Sequence, residues 1–204
     1  MKTENIIFDL DGTLRDATKT VLHAWESCMQ GEYHIDPDQL KSCMGKTNDE
    51  IFEFLFPSLS DENRNKLMEQ CFVAEEKLIR QQGGMLYEGV EETLNELHKK
   101  FNLYIVSNCQ KNYIEPFLSF YNFEKYFKDF ESAGNTGMDK SENIALIIRR
   151  NNLSNSVYVG DTEGDQKASL ANNIPFIYAS YGFGKCEKYD FKIDHLREIF
   201  TLVR

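Results

Sequence analysis

The chain has 204 residues, 41% of them apolar, and a formal net charge of -10. That is enough material for one domain, or for one domain carrying a smaller insertion. The acidic balance argues against a nucleic-acid binder, which needs a basic face, and no apolar run approaches the roughly 20 residues of a membrane-crossing helix. The five cysteines (Cys28, Cys43, Cys71, Cys109 and Cys186) are scattered and lack CxxC spacing. They read as reduced thiols rather than disulfides or a zinc site. With no signal peptide ahead of the first apolar run, the expected location is cytoplasmic.

Residues 5–8 form a short apolar run, with Ile6, Ile7 and Phe8 predicting a buried strand. Four more strands are predicted at residues 103–106, 129–131, 157–159 and 174–178. Helical stripes lie between them: Thr93, Leu94 and Leu97; Ile114, Phe117 and Leu118; Ile144, Ile147 and Ile148. Strands alternating with helices predict an α/β fold, a parallel sheet covered on both faces. The gap between the first two strands is far longer than a single crossover requires. It reads as helical throughout. Val21, Leu22, Trp25 and Met29 recur at helical spacing, Asp36-Pro37 can open a short helix, and Thr47 to Glu50 is a capping box. Leu67, Met68, Cys71, Phe72, Leu78 and Ile79 make a long stripe that Gly83-Gly84 closes. Residues 16–83 are therefore expected to form a helical unit inserted after the first strand, with 1–15 and 84–204 as the core.

Four motifs carry the chemistry. Asp9-Leu10-Asp11-Gly12-Thr13 ends the first strand, and ligands of an open parallel sheet bind beyond its carboxyl edge. A carboxylate is ionised at neutral pH, so Asp9 needs no base to act as a nucleophile. Ser107 and Asn108 end the second strand. A helix is expected to start soon after, where a hydroxyl and free N–H groups would suit a phosphate. Lys140 opens another predicted helix, where the dipole disfavours a cation, so an anionic partner is the alternative to a solvated lysine. Gly160-Asp161-Thr162-Glu163-Gly164-Asp165 follows the fourth strand. If both acidic strand ends share one rim, Asp9, Asp11, Asp161 and Asp165 lie together. Two like charges about 4 Å apart repel by about 4 kcal/mol at an effective dielectric near 20. Such a set of hard oxygens favours a cation, with Mg²⁺ the natural occupant.

The order of these motifs resembles the haloacid dehalogenase-like hydrolases from Ile6 to Asp165. The run Tyr181-Gly182-Phe183-Gly184 and the helical insertion resemble the phosphoglycolate phosphatase-like branch, with its cap over a Rossmann-like core. The resemblance implies a Mg²⁺-dependent phosphatase acting on a small phosphorylated metabolite through an aspartyl phosphate. Asp9 would attack phosphorus. Asp11 would move protons, its main-chain carbonyl touching the metal. Thr13, Ser107, Asn108 and Lys140 would hold the phosphoryl group. Asp9, Asp11, Asp161 and Asp165 would hold the ion. The second aspartate of the first motif argues for phosphoryl transfer over dehalogenation. Ser141 stands where many relatives have proline, and Glu88-Gly89 where many have Pro-Gly.

Arg15, Lys46 and Thr47 are candidates for substrate contact, with Trp25 and His23 behind them. Arg15 is expected to pair with Asp16. A phosphosugar mutase of the β-phosphoglucomutase type is the alternative within the same chemistry. The stretch from Gly45 to Asn48 lacks the arginine such mutases carry, although Lys46 could bind a second phosphate. A signalling receiver domain would be much shorter and lack the insertion. A non-catalytic protein of the same fold would not need the full acidic set.

Overall fold

The structure is a computed structural model describing residues 1–204. The chain begins with β1 (Asn5–Phe8) and β2 (Arg15–Asp16), then runs through α1 (Thr18–Met29), α2 (Pro37–Cys43), α3 (Asn48–Leu55) and α4 (Asp61–Gln82). It returns through β3 (Met85–Leu86), α5 (Val90–Leu97), β4 (Asn102–Ser107), α6 (Ile114–Tyr121), β5 (Phe127–Ser132) and α7 (Ala133–Thr136). It closes with α8 (Lys140–Arg150), β6 (Ser156–Gly160), α9 (Glu163–Ala171), β7 (Phe176–Ala179), β8 (Phe191–Ile193) and a 3₁₀ helix (Leu196–Thr201). None of the helices is long and apolar enough to cross a membrane.

Six strands form a parallel sheet in the order β5-β4-β1-β6-β7-β8. Side chains alternate along each strand. Ile6, Phe8, Leu103, Ile105, Val157 and Val159 join the core layer shared with α5 and α6. Ile7, Tyr104, Val106 and Tyr158 enter the opposite layer with Ile144, Ile147 and Ala168. The α/β, doubly wound arrangement expected from the alternation is present, and the chain reverses direction across the sheet at β1. The crevice at that reversal is where such sheets bind ligands.

Four strands fall where the hydrophobic runs place them. The fifth begins at Phe176 rather than Ile174. Asn173 is left-handed, with φ 53°, and Pro175 has no N–H to give the ladder. The edge strand β8 has only three residues, too few for a periodic signal.

The helices α1 to α4 bury a cluster of their own around Trp25, Leu40, Phe52 and Cys71. The chain enters and leaves this cluster through β2 and β3, which pair antiparallel, Arg15 opposite Leu86 and Asp16 opposite Met85. Gly83 ends α4 in the left-handed conformation, at φ 72°, and a Cβ there would lie 2.3 Å from Phe120 Cδ1. Its carbonyl accepts a 2.7 Å hydrogen bond from Arg15 Nη1. Gly83→Ala is therefore expected to cost about 1–3 kcal/mol, from backbone strain and displaced rings. Denaturant unfolding of the two proteins measures it; equal midpoints would contradict the account.

Candidate active site

Asp9 follows β1 directly, and its N–H continues the ladder to the Val159 carbonyl at 2.8 Å. Two residues on, Gly12 turns the chain at φ 95°, and a Cβ there would lie 2.4 Å from Asp161 Oδ2. Only glycine fits, so the loop after β1 and the loop after β6 close against each other. Asp9, Asp161 and Asp165 come together as a result. Each offers a carboxylate oxygen within 4.8 Å of the others, and all three are buried.

Lys140, at the start of α8, reaches into this group. Its Nζ donates to Asp9 Oδ1 at 2.8 Å and to Asp165 Oδ1 at 2.6 Å. Burial works against its charge, but Asp165 and Asp9 outweigh that and hold its pKa above the ordinary lysine range. The solvated-lysine alternative is thereby excluded. One ammonium faces three carboxyl groups, so ionising all three would leave the cluster negative. Burial pushes the Asp9 carboxyl up to about 7 against the pull of Lys140. Burial, then the charges of Asp165 and Asp9, raise Asp161 well above the carboxylate range.

The Asp161 side chain is held on one edge only. Oδ2 accepts from the N–H groups of Phe183 at 2.7 Å and Gly184 at 3.1 Å, so the Tyr181-to-Gly184 run is its clamp. Oδ1 is buried without a partner. A buried carboxylate oxygen in that condition carries a desolvation penalty that a cation would remove. The hard-oxygen set, the surplus of carboxyl groups over the single lysine and this orphaned atom together fit a small divalent ion. Asp165 differs: its Oδ2 accepts from Asp161 N, Thr162 N and Thr162 Oγ1.

Asp11 lies beside this group and not within it. Its Oδ1 accepts from Arg15 Nε at 3.0 Å, which corrects the expected pairing of Arg15 with Asp16. The side chains of Arg15 and Asp16 alternate across β2. Arg15 turns inward, fully buried, its guanidinium 4.6 Å from the Tyr113 ring and 4.8 Å from that of Phe117. Asp16 instead accepts from Thr18 N at the start of α1, at 2.8 Å.

Ser107 is buried at the end of β4 and faces the same cavity as Asp9 and Asp11. The helix expected just after it starts only at Ile114, so no helix terminus lies at Ser107. Asn108 sends its amide to the Gly45 carbonyl at 3.1 Å, tying the sheet edge to the loop after α2. Thr13 is fully buried and its hydroxyl has no partner.

The cavity, its open mouth included, spans about 470 Å³. Asp9, Asp11 and Ser107 form its floor, and Val21, Trp25 and Lys46 lie on its helical side. Thr47 is off this wall: its hydroxyl donates to Glu50 and caps α3. His23 is exposed on the outer side of α1. Sequence reasoning missed Glu75, Gln110 and Tyr113, which complete the wall. For Glu75 a signal existed: Leu67, Cys71 and Ile79 mark the buried row of α4, and Glu75 continues it. An acid in an apolar row at i, i+4 spacing is out of place unless it has a job.

The family model for haloacid dehalogenase-like hydrolases matches residues 6–179. The chain belongs to that family. A phosphoglycolate phosphatase of Vibrio parahaemolyticus is 26% identical, the match covering 97% of this chain and 95% of that protein. A haloacid dehalogenase-like family hydrolase of Streptococcus pneumoniae superposes with a TM-score of 0.86 at 18% identity, covering 98% of both chains. A β-phosphoglucomutase of Clostridium difficile superposes with a TM-score of 0.78 at 19% identity, covering 97% of this chain and 93% of that one.

Proposed function

We propose that this chain is a cytoplasmic Mg²⁺-dependent phosphatase that hydrolyses a small phosphomonoester through an aspartyl phosphate on Asp9. The observation carrying this reading is the buried meeting of Asp9, Asp161 and Asp165 with Lys140 at the carboxyl edge of the central strand. Asp9 and Asp161 would hold the ion directly, together with the main-chain carbonyl of Asp11. Asp165, whose Oδ2 already takes three donors, would contribute charge more than a free lone pair. When bound, the ion supplies positive charge to the phosphoryl oxygens.

The residues then divide the work. Asp9 attacks phosphorus, and Lys140 offsets the repulsion between that carboxylate and the arriving phosphate. Asp11 Oδ1 is fixed by Arg15, which leaves Oδ2 to protonate the leaving oxygen and later to take a proton from water. Ser107 and the Thr13 hydroxyl donate to phosphoryl oxygens, with Asn108 at the edge of that site. Residues 16–83 act as a cap over the cavity, hinged near Arg15 to Ala17 and at Gly83-Gly84, and exclude bulk water.

Hydrolysis of p-nitrophenyl phosphate should vanish in chelator and return with Mg²⁺. Ca²⁺ should inhibit, because it prefers more ligands at longer distances. Full turnover in chelator would rule the mechanism out. A phosphosugar mutase is the second reading, favoured by Lys46 on the cavity wall. Release of inorganic phosphate rather than an isomeric sugar phosphate separates the two.

A further inference from the structure

The helical side of the cavity carries a buried acid with no part in the chemistry above. Glu75 sits mid-way along α4 and is 3% exposed. Its Oε2 accepts a 2.7 Å hydrogen bond from Trp25 Nε1 on α1. Trp25 is the one side chain in hydrogen-bonding geometry with the carboxyl group, and Glu75 lines the same cavity as Asp9 and Asp11. Gln110 approaches from the core side, with its own amide nitrogen unpartnered. Burial pushes the Glu75 carboxyl up to about 7, against the hydrogen bond from Trp25.

A buried acid is costly, and stapling α1 to α4 would need only a neutral acceptor for the Trp25 N–H. Glu75 belongs to the helical side of the cavity and Asp9 to the sheet edge, so the leaving group of a phosphomonoester attacked at Asp9 would extend toward Glu75. Apart from the Gln110 amide, the charged groups on the wall are mostly acceptors. Asp9, Asp11 and Glu75 are acidic, and the one cation lining the cavity, Lys46, has its Nζ 5.5 Å from the exposed Phe54 ring. Arg15 is committed to Asp11 and Gly83.

We infer that Glu75 is the specificity-determining residue of this site, and that it selects phosphomonoesters whose leaving group ends in a hydrogen-bond donor, a hydroxyl or an ammonium, over those ending in a carboxylate. This rests on the phosphatase reading and narrows it: the substrate class differs from the one named for the Vibrio relative. A ligand ammonium would hold the Glu75 carboxyl ionised and donate to it without displacing Trp25, and a hydroxyl would donate likewise, whereas a ligand carboxylate would share the wall with the acids Glu75, Asp9 and Asp11.

The test uses three esters with the same short chain and different ends: phosphoethanolamine, ethylene glycol monophosphate and 2-phosphoglycolate. With Mg²⁺, kcat/KM for the two donor-ended esters should exceed that for 2-phosphoglycolate at least tenfold. In Glu75→Gln, which keeps an acceptor for Trp25, the ratio of phosphoethanolamine to 2-phosphoglycolate should fall at least tenfold. A merely structural Glu75 would change all three esters alike and leave the ratio unmoved.

Trp25 is the single tryptophan of the chain, so its emission reports arrivals at Glu75 directly. In Asp9→Asn protein, phosphoethanolamine should give a saturable change in emission at concentrations where 2-phosphoglycolate gives none. This second measurement decides the matter if Glu75→Gln does not fold. A ratio unchanged within threefold, a wild-type preference for 2-phosphoglycolate, or an equal emission response to both ligands overturns the assignment. Turnover of p-nitrophenyl phosphate alongside any of those results leaves the phosphatase reading standing. Failure to hydrolyse the aryl ester and all three alkyl esters removes both.

Discussion

Asp9→Asn should abolish turnover and phosphoenzyme together, whereas Asp11→Asn should slow turnover and let aspartyl phosphate accumulate. The two side chains are identical in type and two positions apart in sequence, yet the structure gives them different surroundings. Asp9 meets Lys140 and two further carboxylates; Asp11 meets Arg15. An amide at position 9 is a far poorer nucleophile, and no neighbour replaces it. Loss at position 11 removes acid–base help, typically worth about 10²–10⁴-fold. With an aryl phosphate the leaving group needs little protonation, so formation suffers less than hydrolysis and the intermediate builds up. Acid quench and mass spectrometry should find the added phosphoryl group on Asp9 in Asp11→Asn. Label in Asp9→Asn, or label mapped to Asp11 or Ser107, would refute the division of roles.

Lys140→Met should be the most destabilising single change in the site, as well as an inactivating one. The lysine is 5% exposed and bonded to Asp9 and Asp165, both as buried as it is. Removing one partner of a buried charge pair typically costs about 3–5 kcal/mol, because the other charge stays buried. Here two carboxylates lose their counter-ion and a third lies within reach. For a chain of this size that cost corresponds to a fall in Tm of roughly 10 °C. Millimolar Mg²⁺ should restore part of the loss, since a cation then supplies the missing charge by linkage. Calorimetry with and without Mg²⁺ checks both statements. A variant as stable as the parent would mean that Lys140 is not the counter-ion the geometry makes it.

Much of this arrangement was legible in the chain, and for a local reason. The Asp9 motif and the Gly160-to-Asp165 motif each join a strand pattern of period two to a glycine turn, and both signals live within ten residues. Their meeting follows from the rule that a parallel sheet gathers its carboxyl ends on one edge. Arg15 was misjudged because its partner was sought along the chain, at Asp16; inside a two-residue strand the decisive fact is the alternation of faces, set by pairing with Leu86. Thr47 lies off the cavity wall, its hydroxyl engaged in capping α3. Glu75 was passed over because its row in α4 was read as an unbroken apolar stripe. What brings it to the cavity wall is the way α4 packs on both α1 and α6, a tertiary fact with no sequence period.

The antiparallel pair of β2 and β3 has a consequence for how the chain assembles. The excursion begins after Asp16 and ends before Met85, and those two residues lie opposite each other. For the sheet, everything between them amounts to a turn. Closing a loop of that many flexible residues carries an entropy that grows with the logarithm of its length. A helical unit that has already folded presents its two ends side by side and removes most of that cost. β1 and β4, neighbours in the sheet but distant in sequence, then become near neighbours in effective chain length. Were that unit to form first, their pairing would not wait on a long-range search.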